Sequence, residues 1–230
     1  MWDRPLRKTV YTLDIGPYAP AITALTRPLL QAWVRRLGAE LVVMDERRFP
    51  GWPLCYEKLQ IYQRAQERDD DWCIFVDGDA LVHPDTPDLT RLLPRDTVAH
   101  NDVDMAAVRW TYDRFFERDG RHIGSGNWLA IASAWCLELW RPLDDLTLDE
   151  ALARIQPVAF EQRAGITADH LLDDYVLSRN IAKYGLKFTT VKRVQEQTGC
   201  AGEFFHHDYT ITTEQKVVAI KQTLTNWKLV

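Results

Sequence analysis

The first third of the chain alternates between strand-length apolar runs and stretches with helical spacing. In residues 21–37 the apolar side chains recur at intervals of three and four, which predicts an amphipathic helix. The runs at 10–13 and 41–44 predict short strands on either side of it. Residues 56–66 predict a second helix, and the continuous apolar run Trp72–Val76 predicts a strand buried on both faces. Strand and helix alternate here, which is typical of a parallel sheet with crossover helices.

The second half of the chain continues this pattern after a less regular connection. Residues 98–121 have no clear period and carry many charges, so they predict a long connection with some local structure. The later elements are predicted as a buried strand at 127–133, helices at 134–140 and 167–184, a strand at 186–191 and a helix at 213–224. No repeat or linker-like composition divides the chain. The pattern therefore predicts a single α/β domain.

Composition and charge narrow the class of protein. A chain of 230 residues is long enough for one domain with a substantial core. The formal net charge of −5 weighs against a general affinity for polyanions. The four cysteines form no C-x-x-C pair, which argues against a zinc ribbon or a dithiol site and favours reduced thiols. We find neither a signal-peptide pattern nor an apolar run of membrane-span length, and we therefore expect a cytoplasmic protein without a membrane span.

Two aspartates, Asp77 and Asp79, follow the buried run Trp72–Val76 directly, with Gly78 between them. In open α/β sheets, ligands bind beyond the carboxyl ends of the strands. Carboxylates one residue apart project to the same side of an extended chain, where they can hold one Mg²⁺ or Mn²⁺ that also accepts phosphate oxygens. Short Asp/Gly motifs are most often solvated turns, but here apolar segments flank the motif on both sides. We interpret both aspartates as metal ligands.

The region 10–87 resembles the nucleotide-sugar half of glycosyltransferases with the GT-A fold. The similarity is greatest to the retaining glycogenin-like and yeast galactosyl/mannosyl transferase families. It rests on the order of four features: a strand and turn, a strand ending in an acid, a Pro-rich turn leading to a lysine-bearing helix, and an apolar strand with an Asp-x-Asp motif. They lie at 10–16, 42–45, 52–58 and 72–79. The resemblance implies a Rossmann-like domain whose mixed, mainly parallel central sheet is flanked by helices.

The resemblance also implies a division of labour along the chain. Residues 1–97 would bind the nucleotide sugar, and residues 98–230 would bind the acceptor and complete the metal site. In the first half, the residues implied to lie near the base, ribose, diphosphate or donor sugar are Thr12, Asp14, Asp45, Lys58 and Asp77. Read without the resemblance, Lys58 also fits a solvated helix position and Asp45 a turn.

Two segments of the second half resemble further features of these families. A small-residue segment that lies under the donor sugar implies contacts from Gly126 and Asn127, although a turn into the following strand explains the same residues. An acid at the start of the predicted helix 167–184 is implied to face the acceptor. Asp173 and Asp174 are the candidates for this catalytic role, with a slight preference for Asp174. Acids in a first helical turn are also favoured by the helix dipole alone.

Two adjacent histidines, His206 and His207, lie between aromatic residues late in the chain. Neutral imidazole is a good ligand for Mn²⁺. The resembling families often complete their metal site with a histidine near the C-terminus, which implies that one of these two is a ligand. The sequence does not separate them, and a histidine pair without a metal is the alternative.

The sequence fits three other functions less well. A haloacid-dehalogenase-like phosphatase carries its Asp-x-Asp motif on the first strand and follows it with a hydroxyl residue, whereas Ala80 follows here. A nucleotidyltransferase on a related fold needs a glycine-rich basic loop, which residues 14–18 do not provide. A catalytically inactive sugar-nucleotide-binding protein would tolerate loss of the acids, and here they are present.

The sequence therefore predicts a metal-dependent glycosyltransferase. We expect Mn²⁺ or Mg²⁺ as cofactor and a nucleoside-diphosphate sugar, with UDP as the first choice, as donor. The acceptor is a hydroxyl whose class stays open between a glycan, a small molecule, a protein and a modified nucleic acid. Retention at the anomeric carbon is preferred because of the resemblance and because no unambiguous general base stands out.

Overall fold

A computed structural model describes residues 4–16, 19–101, 128–157, 159–199, 203–208 and 212–229. Its central feature is a six-stranded sheet with the strand order β2-β1-β3-β6-β5-β7. The six strands are β1 Lys8–Leu13, β2 Glu40–Met44, β3 Trp72–Val76, β5 Thr97–His100, β6 Leu129–Ser133 and β7 Lys187–Thr190. Two further strands, β4 Leu81–Val82 and β8 Phe205–His206, form a separate antiparallel pair.

The strand pairings make the sheet mixed and mainly parallel. β1 lies between β2 and β3 and is parallel to both, and β5 is parallel to β7. β6 is antiparallel to both of its neighbours, β3 and β5, and it is the one strand of this sheet that runs against the others. The predicted mixed, mainly parallel sheet flanked by helices is confirmed.

Seven α-helices and four 3₁₀ helices are found in the described residues. The α-helices are α1 Pro20–Leu37, α2 Gln60–Arg68, α3 Leu148–Leu152, α4 Ala159–Arg163, α5 Leu172–Lys183, α6 Val191–Glu196 and α7 Thr213–Asn226. The 3₁₀ helices are Leu54–Leu59, Leu89–Arg91, Ala134–Trp140 and Ala168–Leu171. In the part of the chain described here, no helix combines the length and the apolar character that crossing a membrane requires.

Local chemistry explains where the longest helix begins and ends. Pro20 occupies the first turn of α1, where its missing N–H costs no hydrogen bond. Gly38 follows the last residue with φ +62°, and its N–H donates to the carbonyl of Arg35 at 3.1 Å. This left-handed cap needs a residue without a Cβ.

Several elements differ from the sequence-based prediction. The predicted helix at 56–66 is a 3₁₀ turn followed by α2, and the predicted helix at 134–140 is a 3₁₀ segment with a kink at Cys136. β5 includes residues 98–100 of the region 98–121 that was predicted as a long connection with some local structure, and residues 102–121 lie outside the described residues. Strands of two to four residues are too short for hydrophobic periodicity to reveal them.

The hydrophobic core covers both faces of the sheet. Every residue of β3 is buried, as expected of a strand with helices on both sides. Alternate β3 residues enter different core clusters, with Phe75 in one and Ile74 in the other. A third, smaller cluster packs α7 against α1 and β4 through Ile22, Leu81, Ile220 and Leu224. The C-terminal helix is therefore held beside the end of β3.

Candidate functional site

The turn that follows β3 is held by contacts on several sides. The Asp77 N–H donates to the Trp128 carbonyl at 2.9 Å, and the Thr26 hydroxyl donates to the Gly78 carbonyl at 2.6 Å. A Cβ placed on Gly78 would lie 2.9 Å from the carbonyl oxygen of Leu13. Glycine is needed here because the backbone of β1 approaches so closely. The turn thereby presents Asp77 and Asp79 in a defined position.

His207 completes a cluster with these two aspartates. Its Nε2 atom lies 3.2 Å from Oδ1 of Asp79, and its ring stacks on Trp128 with 5.3 Å between the ring centroids. One potential ligand atom from each of Asp77, Asp79 and His207 lies within 4.8 Å of the others. Two carboxylate oxygens and one imidazole nitrogen form a donor set that can hold a divalent metal ion. The residues present therefore fit the implied metal.

His206 has different neighbours. Its Nδ1 lies 3.1 Å from Oε1 of Glu203, and its Nε2 lies 3.1 Å from Oδ2 of Asp208. His206 is the last residue of β8, and successive side chains of an extended chain point to opposite sides. Of the two histidines that the sequence could not separate, the structure brings His207 to the aspartates.

Two lysines contact the acidic pair. Lys58 Nζ lies 3.0 Å from Oδ2 of Asp77 and 2.6 Å from Oδ2 of Asp173. Lys216, in the first turns of α7, forms a close ion pair with Oδ2 of Asp79. Sequence reasoning selected Lys58 through the resemblance and missed Lys216. Nothing in the spacing of α7 separates Lys216 from the other polar residues of that helix.

The charges shift the pKa values of the two aspartates in opposite directions. Burial raises the pKa of Asp77, and the neighbouring Lys58 ammonium offsets only part of that effect. Burial also acts to raise the pKa of Asp79, but the hydrogen bond with His207 and the charge of Lys216 outweigh it and hold the pKa well below its usual range. Asp79 is therefore an anion at neutral pH even without a metal.

The two candidate catalytic acids lie in the first turn of α5. Asp173 is completely buried and bonded to Lys58, so it is connected through that lysine to Asp77. Asp174 has a buried Oδ1 atom without a hydrogen-bond partner. Burial raises the pKa of Asp174 well above its usual value, and the negative charge of Asp173 raises it further. Both effects favour the protonated form of Asp174.

The residues implied to contact the nucleotide lie at the carboxyl edge of the three parallel strands. Thr12, in β1, is buried, and its hydroxyl oxygen has no hydrogen-bond partner although it lies close to Gly78. Asp14 follows β1 and pairs with Arg27 at 3.0 Å, and Asp45 is exposed just beyond β2. The two other predicted contacts, Gly126 and Asn127, lie outside the described residues.

Comparison with known proteins supports the fold. No protein-family model matches the chain, and no curated protein matches it. The structure is similar to that of a glycosyltransferase involved in the glycosylation of the major capsid of PBCV-1. That likeness has a TM-score of 0.52 and 12% sequence identity, and it covers 94% of this chain and 99% of the other.

A second solved structure, A197 from STIV, overlaps with 81% of this chain and 82% of its own at 11% identity. Its TM-score of 0.38 is too low to bear on the fold. At 12% identity the first similarity concerns the fold alone: the chain has a glycosyltransferase-like α/β fold.

Proposed function

We propose that this protein is a metal-dependent glycosyltransferase that moves a sugar from a nucleoside-diphosphate sugar, with UDP as the nucleotide, to a hydroxyl acceptor. The observation that carries the proposal is the cluster of Asp77, Asp79 and His207 at the carboxyl end of β3. The position of this cluster supports the proposal, because ligands of open α/β sheets bind beyond the carboxyl ends of the strands. The glycosyltransferase-like fold supports the same assignment.

In this proposal Asp77, Asp79 and His207 hold Mn²⁺ or Mg²⁺. When bound, the ion would neutralise the negative charge that develops on the departing diphosphate. Lys216 contributes a second positive charge beside Asp79, and we propose that it contacts the same phosphate groups. Thr12, Asp14 and Asp45 line the edge on which the base and ribose would lie, with Gly126 and Asn127 proposed under the donor sugar.

The reaction breaks the bond between the anomeric carbon and the diphosphate oxygen, which keeps the electron pair. The acceptor hydroxyl oxygen forms the new bond to that carbon and releases its proton. Asp173 is paired with Lys58, and burial raises the pKa of Asp174, so neither acid is proposed as the general base. The released diphosphate is then the natural proton acceptor, which supports retention. Both acids would act by orienting the acceptor hydroxyl.

The division of labour is proposed along the chain as well. Residues 1–97 supply the nucleotide edge and both aspartates of the metal site, while residues 98–230 supply the acceptor side, His207 and Lys216. The described cysteines Cys55, Cys73 and Cys136 are free thiols, which is compatible with the reducing environment of a cytoplasmic enzyme. The acceptor hydroxyl is proposed to belong to a glycan, a small molecule, a protein or a modified nucleic acid.

Calorimetric titration with UDP in the presence and absence of Mn²⁺ tests the proposal. We expect metal-dependent binding that Asp79→Asn weakens on the order of 100-fold or more, because a ligand and its charge are lost. Asp85→Asn is the matched control, since Asp85 is exposed and pairs with exposed Arg36. Binding that is unchanged in Asp79→Asn would reject the metal role.

The finer parts of the proposal need two further measurements. A panel of sugar nucleotides assayed for metal-dependent hydrolysis identifies the donor, and UDP sugars are expected to be turned over fastest. The anomeric configuration of the product, measured by NMR, tests retention. An inverted product would reject the retaining assignment while leaving the metal site intact.

A further inference from the structure

Both oxygens of the Asp79 carboxylate are engaged within the protein itself. His207 Nε2 lies 3.2 Å from Oδ1, and the Lys216 ammonium forms an ion pair with Oδ2. The three side chains are shielded from solvent, with 7% of Asp79, 9% of His207 and 14% of Lys216 exposed. An ammonium group paired with a shielded carboxylate already supplies a positive charge of the kind that a metal ion would bring.

The backbone that carries Lys216 is firmly placed. α7 begins with a capping box, in which the Thr212 hydroxyl accepts from the Gln215 N–H and the Gln215 side chain accepts from the Thr212 N–H. Ile220 and Leu224 anchor the same helix in the third core cluster. A change in the partner of Lys216 therefore requires rotation of its side chain and no movement of the helix.

We propose that Lys216 is a tethered counter-ion that competes with a divalent cation for Asp79, so that the ion binds weakly alone and tightly together with a nucleoside diphosphate. This rests on the proposed function. A phosphate oxygen offers Lys216 a new anionic partner when the ion takes its place at Asp79. Because coupling between two ligands is reciprocal, the nucleotide and the ion raise each other's affinity through this side chain.

Lys58 differs from Lys216 in this respect. It lies between two acids, is only 3% exposed, and stays paired with buried Asp173 if Asp77 turns to an ion. Lys58 is therefore held from two sides, whereas the side chain of Lys216 is 14% exposed and can turn from Asp79 towards a bound phosphate. The proposed coupling is assigned to Lys216 for this reason.

The test is to titrate the full-length protein with Mn²⁺ alone and to measure the affinity for Mn²⁺. Calorimetry or the electron paramagnetic resonance signal of free Mn²⁺ gives this affinity. Lys216→Met is expected to bind Mn²⁺ about tenfold or more tightly than the wild type, because the competing charge is gone. Lys216→Arg retains the charge and should bind as weakly as the wild type. Lys221→Met is the matched control, because Lys221 is an exposed lysine on the same helix, and it should leave the affinity for Mn²⁺ unchanged.

Repeating the titration with UDP present completes the test. The wild type should gain more Mn²⁺ affinity from UDP than Lys216→Met does. Equal or weaker Mn²⁺ binding by Lys216→Met, with binding still abolished by Asp79→Asn, would overturn the competition and leave the metal site in place. Mn²⁺ binding that survives Asp79→Asn would overturn both this inference and the proposed function. Far-ultraviolet circular dichroism of each variant verifies that it is folded.

Discussion

Asp77 and Asp79 are separated by one residue, yet their lysine partners come from different regions of the molecule. Lys58, from the 3₁₀ helix before α2, joins Asp77 to completely buried Asp173. Lys216, from α7, meets Asp79 where both side chains retain some contact with solvent. The lysine of the first pair is 3% exposed and held between two acids, whereas the lysine of the second pair is 14% exposed. The first pair is therefore expected mainly to stabilise the protein, and the second is the one that we propose exchanges partners.

The largest expected effect concerns the buried side of this comparison. Lys58→Met leaves Asp173 buried without its cation, which should lower the free energy of unfolding by about 3–5 kcal/mol. Lys216→Met should cost less, about 1–2 kcal/mol, because Asp79 keeps its contact with His207. Urea unfolding of the two variants measures the difference.

A control sharpens this result. Adding Asp173→Asn to Lys58→Met removes the stranded charge and should recover part of the lost stability. If the Lys58 and Lys216 variants lost equal stability, the contrast between an interior and an exchangeable ion pair would be wrong.

The turn between the two acids gives the next effect. Gly78→Ala places a methyl group against the Leu13 carbonyl, so the backbone must shift, and we expect a loss of about 1–3 kcal/mol with weaker metal binding. Gly51→Ala is the control, because nothing lies within 4 Å of its added Cβ. Thermal unfolding and Mn²⁺ titration with UDP measure the two consequences, and a Gly78→Ala protein as stable as Gly51→Ala would contradict the close approach.

The two histidines test which side chain completes the proposed metal site. His207→Ala removes a nitrogen donor from the proposed metal site and should weaken Mn²⁺ binding, measured with UDP present, by about tenfold to 100-fold. His206→Ala removes contacts with Glu203 and Asp208 instead and should change this affinity little. A larger loss of affinity in His206→Ala than in His207→Ala would contradict the placement of His207 beside the aspartates.

The smallest effect calibrates what an ion pair contributes away from the site. Asp88 pairs with Lys8, and although burial acts to raise the pKa of Asp88, bonds from Lys8 and Thr90 hold it below its usual value. A carboxyl group whose pKa is lower in the folded than in the unfolded protein stabilises the folded state at pH values above the unfolded pKa. This stabilisation is lost as the pH falls through the folded-state pKa. Asp88→Asn should cost about 1 kcal/mol at pH 7.

The same variant has a pH signature. Because asparagine carries no charge, its difference from the wild type should shrink as the pH is lowered below about 4, near the unfolded pKa of aspartate. Urea unfolding at several pH values measures it. Asp96→Asn, which breaks an exposed pair with Lys187, is the control and should show a much smaller change with pH, because solvent screens that pair. A constant difference at all pH values would contradict the role of the charge.

Much of the fold followed from hydrophobic pattern alone. β3 was predicted with its observed bounds, because five consecutive apolar residues leave little choice when both faces are covered. α1 was predicted to within one residue, since its spacing is regular and Gly38 marks its end. The position of the acidic pair followed from the same strand, because ligand sites gather at the carboxyl ends of parallel strands.

The site beyond that strand was not predictable from local pattern. β4 and β8 are two residues long, and their pairing depends on packing that no short window of sequence contains. The pairing aims His207 and not His206 at Asp79. Lys216 was missed because a lysine on an amphipathic helix is usually solvated, and only tertiary structure shows which one meets an acid.

The position of Lys216 in the sequence has a consequence for how the protein folds. It meets Asp79 across a separation of 137 residues, whereas β1, β2 and β3 are neighbours along the chain as well as in the sheet. Contacts between distant residues require closure of a longer loop and form more slowly. The strands β1, β2 and β3 are therefore expected to assemble first, and the cluster around Asp79 would become complete only when α7 docks.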